Sequence, residues 1–294
     1  MLLNKVAIVL VNYRQSLHTI DCLHSIRRLN YNDWSAIIVD NNSQDGSYER
    51  FLEEGNDVVV IESGENNGFA SGCNIGIRYA LEHGVEYVLL LNNDTVVDPN
   101  LLDRLLEFSD DTTVTVPKMY YYNNPNILWY AGGYIDMLRG TAFHYGENES
   151  DEGQFDKVRE ISFATGCCML IPKNVLVTVP LMDEAYFLYF EDVDYSFSLN
   201  RHGIKILYCP EAKLWHKVSS STGKNSKLVE YYTNRNRLYC IEKYKCSIVA
   251  RLYTYVTRAI KYIHGKLTNG NEVVVLQSYL DYRNGRMGKQ NLRQ

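Results

Sequence analysis

Four short hydrophobic runs alternate with helix-patterned stretches over the first hundred residues. Each run gives way to asparagine, aspartate or glycine. The runs are residues 5–12, 34–40, 57–62 and 86–91. Their length and β-branched content predict buried strands. Between the first two, Leu17, Ile20, Leu23, Ile26 and Leu29 recur at intervals of three, as on an amphipathic helix with Ser16 as its N-cap. Residues 46–54 predict a second helix, and residues 70–83 a third that Gly84 closes in left-handed conformation. Strand and helix in turn predict an α/β domain with a mostly parallel central sheet and right-handed crossovers. Ligands of such open sheets bind beyond the carboxyl ends of the strands. Asn12, Asp40, Asn67 with Gly68, and Asp94 follow those ends, so chain order alone predicts that they line one crevice.

Further along, residues 98–108 predict a helix and 112–118 a strand. Residues 120–146 read as a hairpin or long loop, and the acidic segment 147–156 as mobile surface. Residues 161–171 read as one strand, with Pro172 starting a short helix, and the aromatic run 187–190 as a strand end. A helix over 191–202, a strand over 205–209 and a turn at Pro210-Glu211 follow, and from residue 225 the pattern is helical. With 294 residues, 46% of them hydrophobic, the chain is not a disordered linker. Its early apolar run, residues 6–11, is too short for a secretory leader or a bilayer span. Seven cysteines without C-x-x-C pairs or zinc-ligand spacing fit buried, reduced thiols and a cytoplasmic chain. Charge is uneven. Residues 1–212 hold 14 basic and 31 acidic side chains, and residues 213–294 hold 16 basic and 4 acidic.

Three clusters carry chemistry. Asn92-Asn93-Asp94 at a strand exit is either a turn or a carboxylate site for a hard cation. Asp40-Asn41-Asn42-Ser43 offers a carboxylate to a base or ribose, or an N-cap to the next helix. No G-x-G-x-x-G follows the first strand and no G-x-x-x-x-G-K-[ST] occurs, which argues against a dinucleotide-dependent dehydrogenase and a P-loop NTPase. Glu191-Asp192-Val193-Asp194 places three acids in four residues beside an aromatic run. Helix capping needs fewer, whereas like charges and apolar neighbours raise a carboxylate pKa toward that of a general base. His216, after a strand and near the acidic crevice, offers a nitrogen ligand to a divalent ion. Residues 219–224, rich in hydroxyls and ending in Lys224, read as a phosphate lid or a plain linker.

In this order the residues resemble the inverting family 2 glycosyltransferases of GT-A fold, closest to their rhamnosyltransferase-like branch. The carriers are Val-Asn-Tyr at 11–13, Val-Asp-Asn-Asn-Ser at 39–43 and Asn-Asn-Gly-Phe-Ala-Ser-Gly-Cys-Asn-Ile-Gly at 66–76. Leu-Leu-Asn-Asn-Asp-Thr at 90–95, Phe-Glu-Asp-Val-Asp at 190–194 and Trp-His-Lys at 215–217 complete them. The resemblance implies a nucleotide-sugar site of Asn12, Asp40, Asn67, Gly68 and Asn93. It implies Mg2+ or Mn2+ on Asp94 and His216, with Asn92 standing where the family's D-x-D motif has its first acid. Asp192 would be the catalytic base and Asp194 its nearest rival, with Glu191, Tyr189 and Trp215 toward the acceptor. The implied reaction moves a hexose such as rhamnose from a dTDP- or UDP-linked donor to a glycan or lipid-linked acceptor. The competing readings are a nucleotidyltransferase acting on a sugar phosphate and a non-catalytic sugar-nucleotide-binding protein.

The expected organisation is a single GT-A domain over residues 1–245, with a nucleotide-sugar half at 1–118 and an acceptor half at 119–245. A basic helical extension follows at 246–294. Val249, Leu252, Val256, Ile260 and Ile263 form one helical stripe, with Arg251, Arg258 and Lys261 opposite. Packing on the catalytic domain or on a second subunit in a homodimer is the favoured expectation for this stripe. Contact with the inner face of the cytoplasmic membrane is the alternative. No recognition motif for nucleic acid accompanies the basic end.

Overall fold

A computed structural model describes residues 3–218, 227–268 and 272–290. The first half follows the expected alternation: β1 (Val6–Asn12), α1 (Ser16–Ile26), β2 (Trp34–Asp40), α2 (Ser47–Leu52), β3 (Val58–Glu62), α3 (Phe69–Glu82) and β4 (Tyr87–Asn92). The four strands are parallel neighbours in the order β3-β2-β1-β4. β1 is buried nearly throughout, which is why its sequence is a continuous apolar run rather than an alternating one. The chain leaves β1 toward β2 and β3 and returns to β4 on the other side. The crevice between the ends of β1 and β4 is therefore a topological switch point. One local detail differs from expectation: Gln15, not Ser16, is the N-cap of α1, and it makes no side-chain cap bond.

The second half continues the sheet with β5 (Thr95–Val97), α4 (Leu101–Leu106), β6 (Thr113–Tyr121), β7 (Asn124–Tyr130), β8 (Gly133–Asp136), β9 (Thr141–His144), β10 (Arg159–Ile161), β11 (Cys168–Pro172), α5 (Lys173–Thr178), α6 (Glu191–Arg201) and β12 (Lys205–His216). The main path of the sheet runs β10-β12-β6-β11-β4-β1-β2-β3, with β5 pairing β12 and β7 pairing β6 beside it. β11 runs antiparallel to β4 and β6, β12 is parallel to β6, and β8 with β9 forms a separate hairpin. The fold is thus α/β with a mostly parallel central sheet, followed by α7 (Lys227–Lys243), α8 (Ile248–Thr268) and α9 (Glu272–Arg283).

Four sequence expectations are corrected in this half. The single strand expected over 161–171 is two, β10 and β11, separated by the bend that carries Gly166. The turn expected at Pro210-Glu211 is absorbed as a register irregularity inside one long strand, β12. Residues 187–190 are not a strand end, because Tyr189 and Phe190 both take positive φ, 66° and 75°. The acidic segment 147–156 is fastened rather than loose. The buried Lys118 ammonium donates to Asp151 at 2.9 Å and Asp156 at 2.5 Å, and the Tyr120 hydroxyl donates to Asp151 at 2.6 Å. A buried ammonium needs such partners, so two of the acids are fixed by it.

Candidate active site

At the ends of β1 and β2, Asn12 and Asp40 are both buried. Asp40 Oδ1 accepts from Asn12 Nδ2 at 2.7 Å and from the Ser43 hydroxyl at 2.6 Å, while Oδ2 accepts from Ser43 N at 2.9 Å. Asn12 Oδ1 in turn accepts from Thr19 Oγ1 at 2.9 Å, and Asn93 Nδ2 donates to that same hydroxyl at 2.8 Å. One network therefore ties the exits of β1, β2 and β4. The third exit joins it through Asn41, whose Nδ2 donates to the Gly68 carbonyl at 2.9 Å. Gly68 has φ +95°, and a Cβ there would stand 2.0 Å from the Phe187 carbonyl oxygen. Only glycine fits that approach. Asn67, beside it, is exposed.

The structure also brings Asp94 and His216 together. β5 pairs antiparallel with the end of β12, which sets His216 against Thr95. His216 Nε2 lies 3.1 Å from Asp94 Oδ1, and both residues are buried. Burial would raise the Asp94 pKa, but the hydrogen bond and charge of His216 outweigh it and hold the carboxyl below its usual range. His216 Nδ1 is buried without a hydrogen-bond partner. No group of three or more His, Cys, Asp or Glu residues suited to a metal occurs among the described residues. A cation here would take one oxygen and one nitrogen from the protein. That donor set fits Mn2+ or Mg2+ held largely by substrate phosphates and water.

The acidic cluster opens α6. Phe190, in left-handed conformation, is the N-cap, so the chain turns sharply just before Glu191. Two consecutive non-glycine residues at positive φ are strained and persist only where their surroundings hold them. α7 does so, because Asn236 Nδ2 donates to the carbonyls of Leu188 at 2.9 Å and Tyr189 at 2.7 Å. The three acids then separate by environment. Asp194 is committed to packing: it accepts from Lys243 Nζ at 2.8 Å and from the Tyr186 hydroxyl at 3.1 Å. Asp192 is partly exposed, and its Oδ2 accepts from Gly166 N at 3.1 Å. Desolvation raises its pKa against the opposing backbone N–H groups of Gly166 and Val193. Glu191 is buried with Oε2 unpartnered, and burial together with the Asp192 charge pushes its pKa up to about 8. Gly166 N reaches Asp192 and Cys167 O accepts Asn92 N at 2.8 Å, so one short segment links the start of α6 to the exit of β4, two residues before Asp94.

Trp215 does not share the face of His216. Adjacent residues of a strand point to opposite sides, and Trp215 stacks on Tyr120 at 6.1 Å between ring centroids. The aromatic beside His216 is instead Trp129, edge-on at 4.4 Å, which also meets His144 at 4.8 Å. His144 Nδ1 lies 3.0 Å from the Trp129 carbonyl, and burial lowers its pKa. Sequence reading did not single out Trp129 or His144. A lone histidine in a Tyr- and Asn-rich stretch carries no local signal, and only the β8–β9 pairing delivers it here. The lid expected at 219–224 lies outside the described residues.

Compared with known proteins, residues 7–179 match the family described as Glycosyl transferase family 2. A low-salt glycan biosynthesis hexosyltransferase of Haloferax volcanii is 26% identical over 242 residues, covering 80% of this chain and 75% of its own. A dTDP-rhamnosyl transferase of Shigella flexneri is 24% identical over 251 residues, covering 80% and 79%. Among solved structures, GalNAc-T7 with UDP, GalNAc and Mn2+ superposes with a TM-score of 0.61 at 14% identity, covering 90% of this chain and 58% of that one. At that identity the likeness concerns the fold.

Proposed function

This chain belongs to glycosyl transferase family 2, which matches more than half of it, and we propose that it is an inverting, metal-assisted enzyme. It is a glycosyltransferase. The finer reading is transfer of a hexose, rhamnose in the first instance, from a dTDP- or UDP-linked donor to a hydroxyl of a growing polysaccharide or lipid-linked glycan. The sugar is argued from the rhamnosyltransferase relatives, among them the dTDP-linked enzyme of Shigella flexneri. One observation carries the mechanism. The Gly166-Cys167 segment bonds to Asp192, a partly exposed carboxylate of raised pKa, and to Asn92 at the exit of β4, two residues before the buried Asp94 that pairs with His216.

In this reading Asn12, Asp40, Asn67, Gly68 and Asn93 bind the nucleoside and its sugar. Asp94 and His216 would hold Mg2+ or Mn2+, which when bound would supply a Lewis acid for the charge leaving with the nucleoside diphosphate. Asp192 takes the acceptor hydroxyl's proton as that oxygen attacks the anomeric carbon. Such assistance is worth roughly 10²–10⁴-fold. Gly166 N–H fixes the carboxylate, while burial keeps it basic enough to accept the proton. One base opposite the leaving group gives a single displacement with inversion. Glu191 and Tyr189 closely precede that base in the chain, on the acceptor side of this reading, whereas Trp215 stacks on Tyr120 and faces away from His216. Residues 1–245 would form the catalytic domain and 246–294 its extension.

The test is nucleoside diphosphate release from a panel of nucleotide sugars, with and without glycan acceptors, and the anomeric configuration of the product. Acceptor-dependent release with inversion is expected. Retention of configuration would overturn the mechanism, and release that no acceptor stimulates would overturn transfer to a glycan.

A further inference from the structure

Helix α8 turns its apolar side outward. Val249, Leu252, Val256, Ile260, Ile263 and Leu267 are between 53% and 81% exposed. At 3.6 residues per turn they form a stripe roughly 80° wide along a helix about 32 Å long. The buried positions are instead Ala250, Thr254, Arg258 and Gly265. Polarity away from the stripe is paired or squeezed: half-buried Arg251 meets Glu242 at 3.6 Å, exposed Lys261 meets Glu230 at 3.0 Å, and burial lowers the Arg258 pKa to about 10. The expected packing of this stripe on the catalytic domain is therefore not what the fold does. An apolar face this long, left in water, marks an interaction surface.

Charge selects the partner. Residues 248–268 hold Arg251, Arg258, Lys261, His264 and Lys266 and no Asp or Glu. Lys261, His264 and Lys266 are exposed. A second copy would bring two of these acid-free helices together, each in a region of 16 basic and 4 acidic side chains. An anionic surface instead complements them. No helix among the described residues is long and apolar enough to cross a membrane. A basic amphipathic helix of this kind lies in the interface plane. We propose that α8 docks the protein, apolar stripe down, on the surface of an anionic lipid bilayer. This stands apart from the donor and acceptor assignments, because its test reads binding alone.

The experiment is flotation of the full chain with vesicles of phosphatidylglycerol and phosphatidylcholine in equal parts, against phosphatidylcholine alone. A double variant, Val256→Asp with Ile260→Asp, runs beside it, and light scattering reports the oligomeric state. Both substituted positions are exposed, so the melting curve should be preserved. Leu252→Asp with Ile263→Asp repeats the test on the same stripe should the first pair disturb the fold. The wild-type chain is expected to float with the anionic vesicles. The floated fraction should fall roughly tenfold or more in the variant. It should also fall on neutral vesicles and in high salt. A wild-type chain that stays unbound overturns the proposal, as does a variant that floats equally well. A homodimer that the variant splits, with no flotation by either, makes the stripe a subunit interface and overturns it too.

Discussion

Glu191 and Asp192 begin α6 side by side, and burial raises both carboxyls. For Glu191 the consequence has a sign. Below its ordinary value of 4.5, folded and unfolded chains both carry the proton. Between 4.5 and about 8 the unfolded chain releases it while the folded chain keeps it, so stability falls as pH rises through that window. Glu191→Gln should therefore stabilise the fold by about 2 kcal/mol or more above the raised value. The gain should vanish below the ordinary carboxylate range, read as urea midpoints at the two extremes. Asp94 and His216 make a second residue-level expectation. Excess chelator should abolish transfer, and Mn2+ or Mg2+ should restore it. Full activity in chelator would remove the pair from a metal role. Much of this was legible, because carboxylates at strand exits and beside an aromatic run stand out from turn chemistry. The resemblance put Asp192 before Asp194, but the physical difference between them was not legible, since it depends on Lys243, 49 residues from Asp194 in the chain.

Among the elements, α7 works as a brace for the start of α6. Lys243 Nζ joins Asp183 at 2.7 Å and Asp194 at 2.8 Å, and Asn236 holds the carbonyls of Leu188 and Tyr189, which lead into the strained 189–190 pair. Lys243→Met would leave the buried Asp194 without its cation. It should cost about 3 kcal/mol, seen as a lowered denaturation midpoint. The Gly68 turn is the matching joint on the donor side. Gly68→Ala meets both positive φ and the Phe187 backbone. It should destabilise by more than about 2 kcal/mol and weaken donor binding in titration calorimetry. The strands and helices of the first half were readable because each is a local periodicity. The αL pair at 189–190, the split of β10 from β11 and the bulge in β12 were not, because tertiary neighbours impose them. Lys118 shows the same limit: nothing near it in sequence reveals that it gathers two acids from 151–156.

For the whole molecule, the charge division now has an architecture. The acidic part is the α/β body, with Asp40 at the end of β2, Asp94 just past β4 and Asp192 in the first turn of α6. The basic part is folded back onto it rather than trailing. Buried Arg235 donates to the Gly288 carbonyl at 2.7 Å, and Gly288 N donates to Ala185 O at 2.8 Å. The C-terminal segment therefore touches the same 183–190 stretch that leads into Glu191 and Asp192. The measurement that bears most directly on the account is acceptor-dependent turnover of Asp192→Asn beside the wild-type enzyme, with donor affinity determined on both. The account predicts a fall in kcat of roughly 10²–10⁴-fold with donor affinity kept. Near-wild-type turnover in the variant would contradict it.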